Sequence, residues 1–349
     1  MVSKLKGNLL NADAEALVNT VNTVGVMGKG IALQFKQAYP ENFRAYAKAC
    51  RNQEVEPGRM FIVEVGGVSN PRYIINFPTK RHWRSPSRIE DIERGLAALA
   101  ADVKRLRIRS IALPPLGCGH GGLDWNEVYP LIIKAFADMP EVEVKVYEPT
   151  GAPAAEQMRN RTEQPNMTIG RAVALGLMSR YRVPGYEYRL SLLETQKLVY
   201  FQTRAGEPLD KMEFTKGPYG PYADTLRHVL ERMEGHFISG YGDGQNKPET
   251  PITLKPQAIK EAEQFLAHHP QTLERMERVT RLIEGFETPR GMELLSSVHW
   301  VAIEENAAAR SDVQLAIKGV HDWSERKRRL LPADQISLAW DHLRKLGWL

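Results

Sequence analysis

At 349 residues the chain is too long for one ordinary hydrophobic core and suits two domains; its 42% hydrophobic and 26% charged residues exclude disordered and collagen-like classes. It has no 18-residue apolar run and no secretory leader pattern, so a cytoplasmic protein with no membrane partner is expected; Cys50 and Cys118 are too few for a disulfide framework or a zinc cluster, and no metal site is expected. The net charge of +5 divides as 20 basic against 16 acidic residues in 1–150 and 27 against 26 in 151–349, an excess too small to separate a polyanionic ligand from random surface imbalance.

From Lys4 to Pro149, short apolar runs alternate with amphipathic stretches, which predicts an α/β layer fold. In chain order the pattern predicts a strand over 16–21, a helix over 30–39, strands over 59–65 and 73–77, a helix over 87–106, a strand over 110–113, a helix over 125–136 and a strand over 142–147. The polar, proline-bearing stretch that follows has no period and predicts a linker over 151–167. Helical character then recurs over 168–179, 191–203, 222–233, 255–268, 273–284, 291–307, 313–323 and 332–346, with almost no strand pattern. The expected organisation is an α/β domain over 1–150, the linker, and a mainly α-helical domain over 168–349.

Two glycine-bearing loops follow predicted strands of the first domain. In VNTVGVMGKGIALQF (21–35), glycines at 25, 28 and 30 let the backbone approach a ligand closely, and a helix starting near Gly30 offers free amides to a diphosphate. Taken alone, the pattern fits a tight structural turn equally well. In PPLGCGHGGLDW (114–125), four glycines fall within six residues, a conformational cost that favours a backbone wrapped against a ligand. Cys118 has no base supplied by motif, and a small residue filling a tight loop is the favoured reading. Open α/β sheets bind ligands at the carboxyl ends of strands, where both loops fall.

In combination, GNLLNADAEALVNTVNTVGVMGKGIALQFK and LPPLGCGHGGLDW, about 85 residues apart, resemble the macrodomain family over residues 4–149, and within it the DNA-directed antitoxin branch of DarG type, a relative of the human terminal ADP-ribose glycohydrolase branch. The resemblance implies a three-layer α/β/α fold and ADP-ribose as substrate and product, with no cofactor. It places Asn8 and Leu9 at the turn that reads adenine and Val26, Met27, Gly28, Gly30, Ile31 and Ala32 in the first diphosphate loop. Gly117, Cys118, Gly119, His120, Gly121 and Gly122 fall in the second, Asn22 lies near the distal ribose, and Lys80 is the catalytic lysine. Two positions depart from the pattern: Asn8 stands where most members have an aspartate, and Gly121 where the human relative has a catalytic one.

Cleavage at an anomeric carbon passes through an oxocarbenium-like state and needs leaving-group help and a nucleophile. Lys80 is expected to attack or protonate at the glycosidic link to a modified thymine, with Asn22 orienting ribose hydroxyls and His120 positioning or shuttling protons. Arg81, Arg84 and Arg88 are expected to favour the neutral amine. In KRHWRSPSR, Arg81, Trp83 and Arg84 interleave cations with an aromatic ring, which suits single-stranded DNA, although a solvated basic loop is the reading of the residues alone. The stretch LSLLETQKLVYFQTRAGEPLDKMEFTKGPYGPY resembles toxin-neutralising domains of the Panacea type, which implies a DarT-type toxin as partner. Leu192, Leu193, Gln196, Val199 and Tyr200 read as a core face, KGPYGPY as a rigid contact loop with exposed tyrosines, and 239–250 as a second loop. The expected function is therefore an antitoxin that removes ADP-ribose from thymidine in ADP-ribosylated single-stranded DNA and blocks the DarT toxin. The alternative is an ADP-ribose reader or a protein ADP-ribosyl hydrolase without DNA preference.

Overall fold

The computed structural model describes residues 1–66, 69–181, 190–244 and 247–349. It divides into two compact units, Met1–Glu163 with Asp243–Gln245, and Gln164–Gly242 with Asn246–Leu349.

The first unit runs β1 (Val2–Leu5), β2 (Ala16–Asn22), α1 (Gly30–Ala38), α2 (Pro40–Arg51), β3 (Phe61–Glu64), β4 (Tyr73–Lys80), α3 (Ile89–Arg105), β5 (Ser110–Leu113), α4 (Trp125–Ala135) and β6 (Glu143–Tyr147). The sheet order is β1-β6-β5-β2-β4-β3, parallel except for β3 against β4. Side-chain alternation along β2 builds the layers. Ala16 and Val18 join Ile75, Ile92, Leu96, Val128 and Ile132 in the core under α3 and α4, whereas Leu17 joins Ile74, Phe35 and Ala38 on the α1 side. With both faces covered, the central strands read as continuous apolar runs, and the result is the expected three-layer α/β/α fold.

Two elements of this unit escape the sequence pattern. β1 is four residues long and mostly half-buried. α2 turns Asn42, Tyr46, Ala49 and Cys50 inward, a face without an aliphatic stripe, and its start is marked by Pro40 at its first position. β4 extends three residues beyond the predicted end, through Pro78 to Lys80, because the ladder with β2 continues past a register shift between Val21 and Asn22. The stretch expected as linker over 151–167 belongs to the first unit as far as Glu163: Arg161 N–H donates to the Gln37 carbonyl at 2.8 Å and its guanidinium lies 5.8 Å from the Tyr39 ring centroid.

The second unit is mainly helical: α5 (Ile169–Arg180), α6 (Leu192–Arg204), the hairpin β7 (Thr215–Gly217) and β8 (Gly220–Tyr222), α7 (Asp224–Met233), the short pair β9 (Ile238–Ser239) and β10 (Thr253–Leu254), α8 (Pro256–Leu266), α9 (Pro270–Ile283), α10 (Pro289–Trp300), α11 (Val313–Trp323), α12 (Glu325–Leu330) and α13 (Ala333–Lys345). α5 is buried nearly all round and forms the centre of the core. Leu193, Gln196, Val199 and Tyr200 of α6 are buried as expected, with Leu192 at the margin. KGPYGPY is a β-hairpin rather than an open loop; Gly220 and Pro221 are buried and Tyr219 and Tyr222 half-buried, because Tyr219 packs under Arg326 and the Gly217 carbonyl accepts from the Trp323 indole. Residues 245 and 246 of the predicted loop 239–250 lie outside the described residues. Among the described residues no helix is long and apolar enough to cross a membrane.

Candidate functional site

Parallel register brings the site together. β2 is flanked by β5 and β4, so the loops that follow these three strands converge at one edge of the sheet. The register shift pairs Asn22 with Lys80 instead of Thr79, and the last residue of β2 faces the last residue of β4. Lys80 thus sits at the end of a strand and not within a basic loop, a more rigid mounting for its amine.

The Lys80 ammonium donates to the main-chain carbonyl of His120 in the second glycine loop. Burial lowers the Lys80 pKa from the ordinary lysine value. The neighbouring guanidiniums expected to cause this do not figure in it. Arg81 is bidentate to the buried Asp91 at 2.6 and 3.1 Å, and Arg94 reaches the same carboxylate at 2.5 Å. Although burial opposes ionisation, the Arg94 and Arg81 guanidiniums hold the Asp91 carboxyl below its usual range. Arg81, expected to meet DNA, is therefore tied to the start of α3, with half of its side chain still exposed. Trp83 and Arg84 remain outward: Trp83 is 46% exposed, the Arg84 guanidinium lies 4.5 Å from its ring centroid, and His82 stacks on it at 5.4 Å.

Asn22 organises the first loop. Its Oδ1 accepts from Val24 N–H at 3.0 Å and Val26 N–H at 3.3 Å, and its Nδ2 donates to the Val26 carbonyl at 2.6 Å. With the oxygen filled, one amide N–H of the carboxamide remains able to donate. Val26 is exposed at the loop tip and Met27 is buried beneath it. Thr23 Oγ1 donates at 2.6 Å to the Arg81 carbonyl, joining this loop to the end of β4. At the start of α1, Gly30 adopts φ +62° and its N–H donates at 2.9 Å to the Asp243 carbonyl, a partner from distant sequence within the same unit. The following amides, Ile31 and Ala32, lie in the first turn, where no helical carbonyl is available to them. After β1, parallel to β6 and so leaving the same carboxyl edge, Asn8 caps a short 3₁₀ turn, its side chain accepting from Leu10 N–H at 3.0 Å, with Leu9 buried.

The second loop spans Gly117–Gly122, where Gly117 and Gly122 take φ +72° and +79°. A Cβ at Gly121 would lie 2.2 Å from the Gly117 carbonyl oxygen and 2.3 Å from Ser87 Oγ, so any side chain at this position requires the loop to shift. Ser87 N–H also donates to the Gly121 carbonyl at 3.0 Å. Cys118 donates to the Leu116 carbonyl, and burial, with help from Asp124, pushes its thiol up to about 11, which argues against a thiolate. His120 contributes its carbonyl to Lys80; at Gly119 a Cβ would meet open space. Tyr46, bonded to Asn22, and Ser87, bonded to Gly121, hold the two loops, and neither role is evident in the sequence pattern.

The sequence of residues 18–132 matches the Macro domain family. A DNA ADP-ribosyl glycohydrolase of Thermus aquaticus is 48% identical over all of this chain and 94% of its own length. A transferase–glycohydrolase fusion protein of Thermosipho africanus is 35% identical over 42% of each chain. The solved macrodomain of Mycobacterium tuberculosis DarG is 54% identical, covering 43% of this chain and 99% of its own, with a TM-score of 0.43. At the identity and coverage of the Thermus relative, this chain belongs to the macrodomain-containing DNA ADP-ribosyl glycohydrolases of the DarG type, a family of hydrolases.

Proposed function

We propose that the chain removes ADP-ribose from thymidine in single-stranded DNA in the cytoplasm, needs no cofactor, and binds and blocks a DarT-type transferase through its helical unit. The observation that carries the first part is the pairing of Asn22 with Lys80 at the carboxyl edge of the sheet, with the amine partly desolvated. A lysine attacks only as the free amine, and burial enlarges that fraction. Lys80 Nζ bonds to the anomeric carbon as the bond from that carbon to the base nitrogen breaks; the electron pair leaves on the base, and the proton that the attacking amine sheds passes to that base nitrogen. The glycosylamine opens to an imine, and one water hydrolyses it, releasing ADP-ribose and restoring the amine.

The exposed His82–Trp83–Arg84 stack supports single-stranded DNA as substrate, because an unpaired base can extend it and adjacent phosphates meet the basic run. The fusion of transferase and glycohydrolase in the Thermosipho relative supports a transferase as partner. The decisive experiment compares release of ADP-ribose from a modified single-stranded oligonucleotide with release from peptides modified on glutamate or serine. Faster release from DNA is expected; equal or faster release from peptide contradicts the reading. Borohydride should trap Lys80 on ADP-ribose during turnover, and turnover without a trappable adduct contradicts the covalent step. The full-length Lys80→Ala variant should still bind the transferase, and loss of binding would contradict the separation of the two activities.

A further inference from the structure

We propose that Tyr46 is a positioning residue for the reaction, holding Asn22 in register opposite Lys80; the inference rests on the reading of Asn22 and Lys80 given above. The β2–β4 ladder loses its regular pairing between Val21 and Asn22, and a bulge of this kind leaves main-chain groups without ladder partners. Tyr46, on α2, supplies the replacement. Its hydroxyl donates at 2.6 Å to the Asn22 carbonyl and lies 3.2 Å from Asn22 Oδ1, the oxygen that already gathers the Val24 and Val26 amides. The main chain at the bulge and the carboxamide that shapes the loop therefore share one anchor. Tyr46 is fully buried among Val21, Met27, Ala49, Cys50 and Val55, which fixes its ring. Burial also pushes its phenol up, so it keeps its proton and remains a donor at every working pH. The neighbouring loop residue, Gly25, takes φ +78° over Cys50 and Ala47, so α2 sets the loop's path as well as its root.

The test is a double-mutant cycle in the full-length protein, read as ADP-ribose release from modified single-stranded DNA. Tyr46→Phe, which removes one oxygen, is expected to lower kcat about tenfold with KM changed less than about twofold, the loss that one misplaced hydrogen bond produces. In an Asn22→Ala background the same change is expected to have no further effect, because the two residues act as a unit. Losses that multiply in the double variant, or a wild-type kcat in Tyr46→Phe beside an impaired Asn22→Ala, overturn the positioning role and leave the reading of the site intact. A wild-type rate in Asn22→Ala overturns that reading, and this inference with it. Should Tyr46→Phe not fold, the Asn22 carboxamide is followed by nitrogen-15 NMR in the wild type: the proton bonded to the Val26 carbonyl is expected to be resolved from its partner and to exchange slowly, and rapid exchange of both protons at free-amide positions overturns the proposal.

Discussion

Gly121 offers a sharp test of how the second loop serves Lys80. A methyl group there would lie 2.2 Å from the Gly117 carbonyl oxygen and 2.3 Å from Ser87 Oγ. The first of these contacts is backbone, so the loop itself must move. Overpacking of this kind costs about 1–3 kcal/mol of stability. The next residue back is His120, whose carbonyl receives the Lys80 amine, and a displacement of about 1 Å at a reacting group lowers turnover on the order of a hundredfold. Gly121→Ala should therefore lower Tm and lower kcat for release from modified single-stranded DNA. Gly119→Ala, where a Cβ meets open space, should leave Tm unchanged. Gly121→Asp, which adds a carboxylate at the same crowded position, should be slower than wild type, not faster. A Gly121→Ala protein with wild-type Tm and wild-type turnover would refute the claim that the glycine is there for space.

Trp83→Ala should raise KM for modified single-stranded DNA about tenfold while leaving binding of free ADP-ribose unchanged, since a base–aromatic stack contributes about 1–3 kcal/mol; isothermal titration with both ligands checks it. Asp91→Asn should destabilise the first unit by about 1–2 kcal/mol, a value discounted because both guanidiniums are half-exposed. With its carboxyl held low in the folded state, the Asp91 contribution is present above the ordinary carboxylate range and fades as pH falls through the depressed value, which acid unfolding of wild type and variant will reveal. In the second unit, burial, with Lys327 adding to it and Glu293 opposing, brings the fully buried Lys197 down to about 7. The folded state sheds this proton before the unfolded state does, so stability should rise by a few kcal/mol as pH climbs from about 7 towards 10. Lys197→Met should flatten that rise in calorimetry, and an unchanged pH dependence would contradict it.

Much of the first unit was legible because its central strands are largely apolar and two of them, β2 and β5, end at glycine loops, so strand and loop announce themselves together. The short edge strand β1 and helix α2 were not, since neither carries an apolar stripe: α2 buries Asn42 and Tyr46 beside Ala49 and Cys50. Missing α2 meant missing Tyr46. Lys80 and Asn22 were readable by resemblance, but their pairing across the register shift is a tertiary fact that no spacing encodes. The basic run misled in a specific way: Arg81 looks like Arg84 in sequence, yet Asp91, ten residues on, claims it. The tyrosines of KGPYGPY looked free for the converse reason, since Arg326 and Trp323, which pack on that hairpin, lie more than a hundred residues away.

The proposed role of Lys80 in cleaving ADP-ribose from DNA is tested by single-turnover release of ADP-ribose from a modified single-stranded oligonucleotide by the wild-type chain and Lys80→Ala, with binding of free ADP-ribose measured in parallel. Release should fall by at least about a thousandfold, the scale of losing a covalent nucleophile, while ADP-ribose binding stays near the wild-type value. Equal release by the two proteins would contradict the claim.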